Sequence, residues 1–171
     1  MNRLQLATLL SWADDAGLQG RKRLQKVVFF LQQAGCQFDC RYTLHHFGPY
    51  SRDVADACDE MVAAGLVIET GGPQNGAMQY AYTLKPEIRA LLDQTHDAQL
   101  QRFQSLGTEL INENIWSLEL GSTVLFFYGQ SRDWNAALDN ACQFKKVDTA
   151  LPSSRNALAL AQRVVEPAGQ Q

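Results

Sequence analysis

The sequence predicts a mainly α (α+β) fold, and three observations carry that prediction. Segments 3–16, 21–34 and 51–65 set apolar residues at helical spacing, and each closes at a glycine. Between residues 66 and 84, two runs suited to extended chain flank the turn-rich Gly71-Gly72-Pro73-Gln74-Asn75-Gly76. From Pro86 onward the pattern is helical again.

Each element has its own signal. Leu6, Leu9, Leu10, Ala13 and Ala16 stripe the first helix, which stops at Gly17. Leu24, Val27, Val28 and Leu31 form the i, i+3, i+4, i+7 stripe of the second, closed by Gly35. Residues 36–47, with Phe38, Tyr42, Thr43, Leu44 and Phe47, suit a short extended segment before a turn at Gly48-Pro49. Ser51 sits where an N-cap belongs, and Val54, Cys58, Met61 and Val62 line the third helix. Leu66–Thr70 and Gln79–Leu84 pair as a β-hairpin with a loose tip. Helix, helix, short strand, helix and hairpin is the order of a winged helix-turn-helix core with a β-hairpin wing, here residues 1–85. Ile88, Leu91 and Leu92 then open a long helix predicted to run to Leu110, and 115–128, 133–145 and 154–165 complete a small helical C-terminal subdomain over 86–166. The tail 167–171 is expected to be disordered.

Composition narrows the function. The 171 residues carry 15 Lys and Arg against 18 Asp and Glu, a formal charge of −3. The chain as a whole therefore lacks the cationic excess of a nucleic-acid or acidic-membrane binder. Residues 1–50 run the other way, with six basic against three acidic residues. Any polyanion-binding surface is local. No stretch approaches 18 consecutive apolar residues, and MNRLQLATLLSWADD is no export signal, so a cytoplasmic protein without a membrane partner is expected. In that compartment Cys36, Cys40, Cys58 and Cys142 are expected to be reduced thiols.

Candidate sites cluster in the first third of the chain. Arg21, Lys22, Arg23 and Lys26 open the second helix. With Leu24 at the centre of the buried face, Lys22, Lys26 and Phe29 fall between roughly 140° and 200°, toward solvent. The cations there suit phosphates, and Phe29 suits a docking surface. On the third helix Arg52, Asp53, Asp56, Asp59 and Glu60 lie opposite the Val54 stripe, one arginine among four carboxylates. Four carboxylates against the phosphates oppose the usual insertion of this helix into a DNA groove. The wing tip Gln74-Asn75-Gly76 has no Lys or Arg to grip a minor groove. Cys36, Cys40 and His45 offer zinc-like ligand types, but without the short paired spacing or a clear fourth ligand, so no metal and no other cofactor is expected. There is no nucleophile elbow, phosphate-cradling glycine loop or His-Glu-x-x-His, and no enzyme is expected.

The segments GRKRLQKVVFFLQQAG and YTLHHFGPYSRDVADACDEMVAAGLV resemble the bacterial winged-helix family typified by the YwgA proteins. The matching positions are Gly20, Arg21, Lys22, Leu24, Gln25 and Lys26, then Gly48, Pro49, Tyr50 and Ser51, then Gly65 and Leu66. The match spans about residues 15–85, and LELGSTVLFFY with FKKVDTALPSSRNALALAQRV is similar to the helical tail of such proteins. The Leu-Gln-Lys helix and Gly-Pro turn are more distantly similar to the Panacea antitoxin domain, whose members neutralise toxins or act as proteolytic adaptors. The resemblance implies the winged-helix fold; the function expected on it is that of a non-enzymatic regulatory module that acts by binding another macromolecule.

Two binding modes follow. The favoured one takes a protein partner, a toxin, protease component or defence-system subunit, on Phe29, Asp53, Asp56, Asp59 and Glu60. The alternative is a DNA-binding regulator, expected to act as a homodimer, using Arg21, Lys22, Arg23, Lys26 and Arg52 with Tyr50 and Ser51 nearby.

Overall fold

The computed structural model describes residues 1–74, 77–92, 94 and 97–165; the tip residues 75 and 76 and the tail 167–171 singled out above lie outside them. The chain is α+β. In order come α1 (Arg3–Ser11), β1 (Leu18–Gln19), α2 (Arg21–Gln33), β2 (Thr43–His45), β3 (Gly48–Tyr50), α3 (Arg52–Ala63), β4 (Val67–Gln74), β5 (Ala77–Leu84), α4 (Pro86–Leu92), α5 (Ala98–Gln101), α6 (Gln104–Asn112), α7 (Ile115–Ser131), α8 (Trp134–Lys145) and α9 (Pro152–Val165).

The sheets are small and antiparallel. β4 and β5 pair from Val67↔Leu84 to Gln74↔Ala77, so the hairpin reaches further than its apolar runs suggested. β1 adds a third strand on the far side of β5, an element too short to signal itself in the sequence. β2 and β3 form a second hairpin whose turn is His46-Phe47, because Gly48 and Pro49 already pair with His45 and Leu44. That corrects the turn predicted at Gly48-Pro49.

Two further predictions need correction. α1 opens on a capping box between Asn2 and Gln5, but it ends at Ser11 rather than at Gly17. Trp12 then turns inward against Gly107 of α6, where an added Cβ would lie 2.3 Å from the indole. The long helix expected from Pro86 to Leu110 is three shorter ones. Asp97 adopts extended backbone and accepts from the amides of Gln99 and Leu100, starting α5 afresh, and a second break precedes α6. A side-chain cap is the local competitor that periodicity overlooks.

A single cluster of buried side chains runs from Leu6 to Val164. Its centre is the pair α2 and α7. In α2 every residue from Leu24 to Leu31 is buried, and in α7 every residue from Leu118 to Leu125. Eight consecutive buried residues span more than two helical turns, so both helices are covered all round rather than along one stripe. α7 lies on α2, and α8 and α9 pack along α7.

Close approach of α7 to α9 depends on Gly121, where a Cβ would meet the Ala157 carbonyl oxygen at 2.9 Å and the Phe30 ring at 3.3 Å. Gly129, in the same helix, has nothing within 4 Å of that position. Gly121→Ala is expected to destabilise the protein by about 1–3 kcal/mol through overpacking. Gly129→Ala is expected to stabilise it by roughly 0.5–1 kcal/mol through helix propensity. Chemical denaturation of the two variants checks this, and shifts of the same sign would refute the packing account.

Candidate binding surfaces

The two sequence segments that carry the family resemblance are bonded to each other. Gln25 donates through Nε2 to the Ser51 carbonyl and accepts the Ser51 amide on Oε1, both at 2.8 Å and both buried. One residue on, the Lys26 ammonium donates to the Pro49 carbonyl at 2.6 Å. Successive polar side chains of α2 thus hold β3 and the N-cap residue of α3. Gly48 permits the approach: its φ is +93°, and a Cβ there would meet Thr123 Oγ1 at 2.6 Å and Lys26 Nζ at 3.5 Å. Ser51 occupies the N-cap of α3 as predicted, but it is buried and its hydroxyl makes no cap hydrogen bond.

The basic start of α2 is not a free row of cations. Lys26 and Phe29, expected toward solvent, are 2% and 3% exposed. α7 covers that side, and the Phe29 ring lies 4.9 Å from Tyr42 and 6.5 Å from Phe126 between centroids. Arg21 pairs with Asp59 of α3 at 2.7 Å and with Glu69 of β4 at 3.1 Å, and its Nε donates to the Tyr82 hydroxyl at 2.8 Å. Tyr82 in turn donates to Glu69 at 2.5 Å. That bond, aided by Arg21, holds the Glu69 carboxyl below its ordinary pKa against the cost of desolvation. Arg23 is turned to the carbonyls of Ile111 and Glu113, and burial lowers its pKa.

Lys22 and Lys145 both reach Glu119, at 3.2 and 3.5 Å, from opposite sides of a carboxylate whose side chain is only 10% exposed. Lys22 also lies 4.1 Å from the Phe47 ring centroid, within cation–π range. Burial lowers the Lys145 pKa and brings that of Lys26 from 10.5 to about 8, against the pull of Glu119 and with the push of Lys145 and Lys22.

The acidic face of α3 is likewise engaged within the chain. Asp53 accepts the Arg41 amide at 2.8 Å, Asp56 pairs with Arg52 at 3.6 Å, and Glu60 pairs with Arg3 at 3.6 Å. Exposed pairs like these add little stability, but three arginines beside three of the four carboxylates reduce the charge that a distant partner feels.

Two concavities meet at the His46-Phe47 turn. One, of about 390 Å³, gathers Arg21, Lys22, Lys26 and Tyr50 from the predicted set. The other, of about 610 Å³, lies between Lys22, Phe47, Trp116, Phe144 and Lys145. Its aromatic rim is exposed, with Trp116 at 72% and Phe47 at 49%. Sequence reasoning passed over Trp116, Glu119 and Lys145; the window 115–128 signals only a helix of the C-terminal subdomain, and nothing local marks its first turn as a rim. Arg23, Ser51 and the α3 carboxylates lie outside both hollows.

The remaining polar groups are quiet. His45 and His46 are both exposed, and His45 rests on Tyr50 at 4.7 Å between ring centroids. The four cysteines are free and buried, and burial pushes the Cys36 and Cys58 thiols up to about 11, far from the thiolate a nucleophile needs. Among the described residues no three His, Cys, Asp or Glu side chains converge as metal ligands, and no helix is long and apolar enough to cross a membrane.

The chain is similar to the uncharacterized protein YwgA of Bacillus subtilis (strain 168), with 29% identity over 118 residues, 69% of this chain and 70% of that protein. This likeness supports the resemblance to YwgA-like proteins. No protein-family model matches the chain.

Lys26 should be visible as an outlier. In NMR of side-chain lysine signals its titration midpoint is expected near 8, well below the ordinary 10.5. Glu119→Gln should lower that midpoint further and Lys145→Met should raise it, following the sign of the charge removed. Because the folded state gives up this proton at lower pH than the unfolded chain, Lys26 detracts from stability below pH 8, and the loss shrinks as pH rises toward 10.5. A midpoint at the ordinary value would refute the burial.

Proposed function

We propose that the chain is a non-enzymatic regulatory protein that acts by binding another macromolecule, and that a protein is favoured over duplex DNA. In this reading residues 1–85 form a winged helix-turn-helix, with β4 and β5 as its wing, and 86–166 a helical subdomain. The observation that carries the choice is the occupation of every cation named for phosphate contact. Arg21 and Arg52 are paired with carboxylates of α3, Lys22 with Glu119, and Arg23 and Lys26 with backbone carbonyls. A duplex approaching α3 would have to displace Asp56 and Asp59 from their arginines, losing the counterion release on which DNA affinity rests.

The surface around Trp116, Phe144 and Val147, edged by Lys145 and Lys146, fits a protein better. All three apolar side chains are exposed, and they adjoin shared hollows. Aromatic residues within a polar rim are the composition that protein interfaces enrich. By the more distant likeness to the Panacea domain, the partner belongs among toxins, protease components or defence-system subunits.

Tagged chain incubated with host lysate, with and without nuclease, tests this. Nuclease-resistant capture of a discrete protein is expected, lost in Trp116→Ala. Capture abolished by nuclease, together with steeply salt-dependent binding of a duplex, would favour the DNA regulator instead.

A further inference from the structure

The 390 Å³ cleft between α2, the β2–β3 turn and α3 is lined by none of Trp116, Phe144 and Val147, and it has the make-up of a small-molecule site. Such sites span about 300–1,000 Å³ and combine apolar walls with a few convergent polar groups. Here Leu24 of α2, Ala55 and Cys58 of α3, and Phe47 and Tyr50 beside them line the cleft. The charged lining is entirely cationic, Arg21, Lys22 and Lys26, with no carboxylate among the described lining residues.

The three cations are not equivalent. Arg21 is committed to Asp59 and Glu69, and Lys22 to Glu119 outside the cleft. Lys26 is buried, and its hydrogen bond goes to a neutral carbonyl, which takes one of the three donors of an ammonium. Burying an ammonium is costly unless a counter-charge meets it. The cleft therefore presents an under-compensated positive charge beside an apolar wall.

We propose that this cleft binds a small amphipathic anion, an aromatic carboxylate or phosphate, with its charged head at Lys26 and Lys22 and its ring between Leu24, Ala55 and Tyr50. The head supplies a counter-charge in direct contact with Lys26, whose carboxylate partner Glu119 acts only at a distance, and the ring removes the apolar walls from water. The site shares Lys22 and the His46-Phe47 turn with the neighbouring hollow, but none of Trp116, Phe144 and Val147 lines it, so Trp116→Ala tests the partner surface without altering this cleft's lining.

The test is titration of the full, isotope-labelled chain with phenyl phosphate and with benzoate, followed by amide NMR and calorimetry. Saturable one-to-one binding of at least one of them is expected, with shifts centred on residues 24–26 and 45–58. Benzyl alcohol, which lacks the charge, and inorganic phosphate, which lacks the ring, should each bind at least about tenfold more weakly. Ala55→Trp, on the partly exposed wall, fills the ring's space and should weaken binding at least about tenfold, while Lys22→Ala weakens it less. Thermal melts establish that both variants fold, so the outcome does not depend on the riskier Lys26→Met. No saturable binding of either anion up to about 10 mM would overturn the proposal. So would affinity unchanged in Ala55→Trp, or benzyl alcohol binding as tightly as the anions.

Discussion

The fold turns on a clamp made by two adjacent side chains, Gln25 and Lys26. Between them they take both backbone groups of Ser51 and the carbonyl of Pro49. These are backbone polar groups at the junction of β3 and α3; the Ser51 carbonyl also accepts the Ala55 amide of α3 at 3.3 Å, while the Ser51 amide and the Pro49 carbonyl find their partners on α2. Leaving them buried and unpaired would cost about 1–3 kcal/mol apiece, so the amide and the ammonium fix where α3 begins relative to α2. A glutamine is suited to this because one amide both donates and accepts, imitating a strand partner.

The clamp has an electrostatic consequence. Placing an ammonium inside the structure requires a carboxylate at a distance, and α7 supplies it in Glu119, which also gathers Lys22 and Lys145. α7 is therefore both the lid on the apolar side of α2 and the counter-charge for its polar side. On the other flank, Arg21 ties α2 to α3 and to both strands of the large hairpin through Asp59, Glu69 and Tyr82. Charges that look like a ligand surface in the sequence act here as internal struts.

This explains which features were legible. The helices α2 and α3, the hairpin β4–β5 and the three C-terminal helices were visible because their periodicity reflects their own packing. The solvent face assigned to α2 was misplaced because a single-stripe helical wheel assumes one partner, whereas α2 is buried from Leu24 through Leu31. Lys26 reads as charged and therefore external, although a backbone carbonyl more than twenty residues along the chain satisfies it. The site was half legible: Arg21, Lys22, Lys26 and Tyr50 do meet in one cleft. Glu119, Lys145 and Trp116 come from more than ninety residues beyond Lys22, and no local pattern announces that they fold back.

The all-round burial of α2 also constrains the order in which the molecule assembles. A chain emerging from synthesis N-terminus first completes α2 long before Leu118–Leu125 exist. Until then Phe29 and Phe30 lack their cover from α7, and the Lys26 ammonium lacks Glu119. The nascent first half is thus a sticky species whose lifetime is set by the time taken to translate some forty residues beyond β5. Holding it apart from its neighbours during that interval is a task for chaperones or for rapid elongation.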